Sequence, residues 1–81
     1  MVLDEHRKYL KNFGKNLKNI RIKRNLSLRK LDANCNIDYS DIAKIEKGEV
    51  NITLLTIFDL AKGLSVHPME LLHFEFDFED Q

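Results

Sequence analysis

Three histidines, one cysteine and thirteen carboxylates are the groups in this 81-residue chain that could hold a metal or move a proton. Their spacing argues against both. His6, His67 and His73 share no helical face at three- or four-residue spacing, and with the lone Cys35 they make no ligand set. No glycine-rich phosphate loop is present, and no nucleophile stands beside a base along the sequence. Neither an enzymatic activity nor a cofactor is expected. Hydrogen bonding and charge remain. Tyr39, Ser40, Asp41 and Lys44 set a phenol, a hydroxyl, a carboxylate and an ammonium close together. On a protruding helix such groups suit the edges of nucleic-acid bases. Serine donates to or accepts from several bases, and aspartate accepts from a cytosine amino group. Tyrosine stacks, presses on a thymine methyl group, or bonds a phosphate through its hydroxyl. Lys44 and Lys47 suit phosphates or guanine.

The elements that must carry these groups follow from periodicity and caps. Leu3, Leu10, Phe13, Leu17, Ile20 and Arg24 recur at helical steps, which predicts a first helix from about Glu5 to about Arg24 with Asp4 as its cap. Gly14 inside it marks a bend or a division into two shorter helices. Ser27 caps a second helix, roughly Leu28–Cys35, which Asn36 ends by adopting positive φ. Asp38 caps a third, roughly Tyr39–Lys47, with Ile42 and Ile45 facing inward and Gly48 just past its end. Thr53 caps a fourth, whose broad apolar face comprises Leu54, Leu55, Ile57, Phe58, Leu60 and Ala61. Gly63 to Val66 form a tight connection, and His67-Pro68 start a short fifth helix through Leu72. The tail Phe74-Glu75-Phe76-Asp77-Phe78-Glu79 alternates apolar and acidic residues. That is either a strand in need of a partner or an acidic terminus in which only Phe74 packs.

Net charge is zero, yet residues 1–30 hold ten basic and two acidic residues while residues 31–81 hold three and eleven. The halves therefore carry +8 and −8. A division of that size gives a strong local field, although two solvated faces that differ by drift would look the same. Apolar residues make up 43% of the chain, which excludes general disorder. No apolar run approaches the roughly 20 residues of a membrane span. Met1-Val2-Leu3-Asp4 has no secretory leader character, and one cysteine forms no internal disulfide, so a cytoplasmic protein is expected.

The stretch from Phe13 to Leu72 resembles the phage-repressor/Cro-type helix-turn-helix family. Four pieces carry the likeness: Ile20-Arg21 followed by Asn25-Leu26-Ser27; Leu31 through Asn36-Ile37-Asp38; Ile42-Ala43-Lys44-Ile45-Glu46-Lys47-Gly48; and Thr53-Leu54 through Leu60-Ala61 to Glu70-Leu71. Val50-Asn51-Ile52-Thr53-Leu54 is similar to the Arg-Asn-Ile-Ser-Leu stretch of restriction–modification controller proteins, small dimeric regulators of about this length. The resemblance implies an all-α, compact five-helix repressor-type domain with a short C-terminal extension. It assigns base contact to Tyr39, Ser40, Asp41 and Lys44, and a structural ion pair to Arg21 and Glu46. Helix N-termini and nearby cations give phosphate contacts at Ser27, Arg29, Lys30, Lys23, Lys47, Asn51 and Thr53. Three positions depart from the family pattern: Leu28 replaces a frequent Gln, Asn36 a glycine, and Asp32 an alanine at the helix–helix contact. Asp32 must then point outward or pair with a basic group.

The chain divides into residues 1–12, the start of the first helix, residues 13–73, the DNA-binding domain, and residues 74–81, the tail. The leading expectation is a transcription regulator that binds a roughly palindromic operator in double-stranded DNA as a homodimer. Val66, Met69, Leu72, Phe74, Phe76 and Phe78 are expected to form the dimer interface. The alternative is a protein-interaction module or antitoxin-type protein whose tail binds a protein partner. Cys35 is expected to be a small buried hydrophobe and His67 a helix cap.

Overall fold

The computed structural model describes residues 4–77. It has four α-helices, α1 (Asp4–Lys23), α2 (Leu28–Asn34), α3 (Tyr39–Glu46) and α4 (Leu54–Leu64), followed by a 3-10 helix, Pro68–Leu72. Each junction obeys a local rule. Ser27 accepts from the Lys30 N–H, Asp38 from the Ser40 N–H and Thr53 from the Thr56 N–H, so free donors at three helix starts find side-chain oxygens. His67 and Glu70 form a reciprocal box: the imidazole accepts from the Met69 N–H, and the Glu70 carboxylate accepts from the His67 N–H. His67 is thus a cap, as expected, on a 3-10 turn instead of an α-helix.

The core is one cluster drawn from every helix: Phe13 and Leu17, Leu31, Ile42 and Ile45, Leu60, Ala61 and Leu64, and Leu71. α1 runs unbroken, so Gly14 is neither a bend nor a division. A Cβ there would lie 2.4 Å from the carbonyl oxygens of both Ile45 and Glu46. Gly14 is present because the end of α3 presses against α1 at that point. Gly48, with φ of +75°, turns the chain out of α3 against the backbone of Lys11. On the other side of α1, the Asn16 amide donates to the Glu70 and Leu71 carbonyls at 2.8 and 3.0 Å, fastening the 3-10 helix.

Several expectations are corrected. Asn36 does not take positive φ; among non-glycine described residues Asn25 and Ser65 do. α2 ends instead on an extended Cys35 whose N–H returns to the Asp32 carbonyl. α4 continues through Gly63 to Leu64, and Ser65 makes the left-handed stop. Its inward face is narrower than its sequence implies. Leu54, Leu55 and Phe58 are exposed, at 63%, 71% and 46%, because the core fills with Ile57, Leu60, Ala61 and Leu64 on the other side of the helix.

The described tail, through Asp77, contains no strand. Its alternation has a different outcome. Phe74 packs against the core, and the Phe76 ring meets Tyr9 of α1 at a centroid distance of 5.0 Å. Leu3 and Phe78 lie outside the described residues.

Candidate nucleic-acid interface

α2 and α3 form the bihelical unit, and α3 is held at both ends. At its C-terminal end, Glu46 receives a two-pronged ion pair from Arg21: Nε to Oε2 at 2.6 Å and Nη2 to Oε1 at 3.0 Å. Arg21 Nη1 donates further to the Leu26 carbonyl at 2.9 Å. Both charged side chains are largely buried, at 11% and 6% exposure, and fork matches carboxylate geometrically. This is the pair that the family pattern assigns.

At its N-terminal end, α3 is capped twice. Asp38 takes the Ser40 N–H at 3.1 Å, and Asp32 of α2 takes the Tyr39 N–H at 2.9 Å. Asp32 therefore neither points outward nor pairs with a cation, as the sequence reading required. It is a second cap supplied by the preceding helix. Sequence reasoning missed this role, although a carboxylate seven residues before the first residue of a capped helix was the available signal.

Two carboxylates at the start of α3 also change the chemistry of Ser40. A carboxylate only accepts, so the short contact between Ser40 Oγ and Asp38 Oδ2 uses the serine proton. Ser40 is left presenting lone pairs. The two Ser40 hydrogen bonds hold the Asp38 carboxyl below its usual pKa, with a smaller contribution from the positive charge of Arg29.

The predicted contact residues separate by face. Ser40, Lys44 and Lys47 recur at steps of four and three, are exposed, and lie opposite buried Ile42 and Ile45. Tyr39 turns toward α2, where the Arg29 guanidinium lies over its ring at 4.4 Å from the centroid. Asp41 turns the other way, onto a cleft of about 300 Å³ shared with Asn51, Thr53 and Thr56. Ser27, Lys30, Lys23, Asn51 and Thr53 are all exposed. Arg7, Lys11 and Lys47 line a further cleft beside Gly48.

The other candidates distribute as follows. Cys35 is a free thiol, half-buried against the core. Burial pushes its pKa up, and the charges of Asp32 and Asp59 push in the same direction. Val66 and Phe74 are half-buried, whereas Met69, Leu72 and Phe76 are exposed. No group of three or more potential metal ligands occurs among the described residues. No described helix is long and apolar enough to cross a membrane.

A capped bihelical unit with an outward polar face on its second helix is the architecture of a helix-turn-helix DNA-binding domain. The helix-turn-helix family model matches residues 17–71, and the chain belongs to that family. Among its relatives is the control protein C.BamHI of Bacillus amyloliquefaciens, 38% identical over 63 residues, which cover 76% of this chain and 78% of the relative. Its structure is similar to that of the restriction–modification controller protein C.AhdI from Aeromonas hydrophila (TM-score 0.74, 34% identity, 76% of this chain and 94% of the other). It is also similar to the controller protein C.Esp1396I, solved as a tetramer on its natural 35-base-pair operator (TM-score 0.73, 25% identity, 79% and 84%). The chain is thus a DNA-binding helix-turn-helix transcription regulator of the restriction–modification controller type.

Proposed function

We propose that this regulator binds a roughly palindromic operator as a symmetric homodimer, with α3 of each protomer in the major groove. The observation that carries this reading is the outward face of α3. Ser40, Lys44 and Lys47 project from a helix fixed at one end by Arg21–Glu46 and at the other by Asp32 and Asp38. A fixed helix presents base-reading groups without an ordering cost on binding. Lys47 at the end of this face, and Ser27, Lys30, Lys23, Asn51 and Thr53 flanking it, serve as phosphate contacts, each adding a salt-dependent share of affinity. Tyr39 and Asp41 border the base-reading face on its two sides.

A dimer is needed because one unit this small reads too few bases for useful specificity. The exposed apolar side chains supply a surface for it: Met69 and Leu72 on the 3-10 helix, with Leu54, Leu55 and Phe58 on α4. These two elements pack on each other. Phe76, in the tail, lies against Tyr9 of α1, while Val66 and Phe74 contribute mainly to the protomer core. The controller C.Esp1396I assembles as a tetramer on its operator, which supports a reading in which copies associate on DNA.

The experiment is selection of bound duplexes from a random pool, paired with sedimentation of wild type and Phe58→Lys. Enrichment of a two-fold symmetric site with half-sites ~10 base pairs apart is expected, with dimers for the wild type and monomers for the variant. Enrichment of asymmetric single half-sites by a monomeric wild type would sink the dimeric reading.

A further inference from the structure

The outward face of α3 lacks a fork-shaped donor, the group best suited to guanine. Ser40 has its proton committed to Asp38, Asp41 only accepts, and Lys44 carries its three donors on one rotatable ammonium without a planar fork. The structure holds such a fork one helix away. Arg29, the second residue of α2, lays its guanidinium over the ring of Tyr39, the first residue of α3. The ring contact, through the guanidinium carbon at 4.4 Å, uses none of the five N–H donors, which are left for another partner. Arg21, by contrast, spends its donors on Glu46 and Leu26. Among the described residues, the Arg29 side chain makes no hydrogen bond or salt bridge; its neighbours are the Tyr39 ring and, electrostatically, the Asp38 carboxylate.

The backbone that carries the ring is held: the Tyr39 N–H donates to Asp32 at 2.9 Å, so α2 anchors the start of α3 beside the point from which it sends Arg29 over the ring. The 4.4 Å contact with Tyr39 places the guanidinium at the start of α3, where its charge also helps to lower the pKa of the Asp38 carboxyl.

We propose that Arg29 is a specificity-determining residue that reads a guanine through O6 and N7, with Tyr39 as the platform that aims it. The sequence alone assigned Arg29 to a phosphate. This inference rests on the groove-reading function above and names the base and the residue pair within it.

The test uses the full chain and the duplex-selection experiment, run on wild type, Arg29→Ala, Arg29→Lys, Tyr39→Phe and Tyr39→Leu, with circular dichroism confirming folding. Wild type selects guanine at one position of each half-site, discriminating against other bases by roughly 5- to 150-fold. Arg29→Ala and Arg29→Lys lose that preference at that position alone, the lysine variant keeping its salt dependence. Tyr39→Phe keeps the preference, and Tyr39→Leu, which removes the ring face, weakens it at the same position. Replacing that guanine by 7-deazaguanine weakens wild type and leaves Arg29→Ala unaffected. Uniform weakening of all sequences by Arg29→Ala, with a smaller salt slope, would overturn the inference and return Arg29 to a phosphate while leaving operator reading intact. No enrichment by folded wild type would remove the operator reading and this inference with it.

Discussion

The carboxylate of Asp32, on α2, accepts the backbone N–H of Tyr39, the first residue of α3, at 2.9 Å. One hydrogen bond therefore joins the two helices of the DNA-binding unit at the point where the second begins. It satisfies a donor that no residue within α3 can reach.

Asp32→Ala should lower stability by about 1 kcal/mol, the typical cost of losing a helix cap, and Asp32→Asn by less because its amide oxygen still accepts. Urea denaturation measures both. Operator affinity should fall further than stability, since a loosened start of α3 blurs the positions of Tyr39 and Ser40. Equal stability of Asp32→Ala and wild type would mean that water replaces the bond.

Arg21 and Glu46 form the opposite anchor and should be unequal to any surface pair. Glu46→Ala leaves a buried guanidinium with only the Leu26 carbonyl for company. Removing one partner of such a pair costs about 3–5 kcal/mol, enough to unfold much of a small domain. Arg21→Met together with Glu46→Leu should recover most of that loss. Thermal melting of wild type and the two variants decides the point, and a loss under 1 kcal/mol for Glu46→Ala would refute the anchoring role.

Gly14→Ala sets two effects against each other. Alanine gains about 1 kcal/mol of helix propensity over glycine. Its methyl group, however, would stand 2.4 Å from the carbonyl oxygens of Ile45 and Glu46, which are backbone atoms and cannot swing aside. The clash should win, lowering the melting temperature and displacing α3 so that Arg21 and Glu46 lose register. A raised melting temperature would show that α1 and α3 separate easily.

Acid should loosen the start of α3 before the rest. The Asp38 carboxyl is held below its ordinary value of 3.8, chiefly by the two hydrogen bonds from Ser40. A depressed folded-state pKa contributes stability that is present above the unfolded value and is lost as pH falls through the folded one. Operator binding and amide protection at Ser40 should hold to about pH 4 and decline below it, and Asp38→Asn should remove that decline. At the alkaline end the sign reverses for Cys35. Its raised pKa keeps the thiol neutral, so alkylation at pH 8 should be slower than for a free thiol, and folding should weaken as pH rises past the ordinary value of 9.0.

The sequence by itself determined whatever is settled within a few residues of chain. The caps at Ser27, Asp38, Thr53 and His67 were legible because each bonds an N–H two or three residues ahead, a reach fixed by helix geometry. The inward setting of Ile42 and Ile45 followed from the 3.6-residue period, and the Arg21–Glu46 pair from the family pattern that those residues complete. Only the tertiary structure decided which way ambiguous surfaces face. The first turns of α4 are apolar almost all round, so periodicity could not say that Leu54, Leu55 and Phe58 would be left outside; the position of α4 against α2, with Leu31, and the 3-10 helix, with Leu71, chose its buried side. The alternating tail reads equally as a strand or as an acidic terminus in which only Phe74 packs; its described part has no neighbouring strand and settles the rings of both Phe74 and Phe76, on the core and on α1. The contacts of Asp32 and Arg29 with Tyr39 bridge separate helices, and such contacts depend on a crossing angle. Packing of the whole core sets that angle, and no local spacing encodes it.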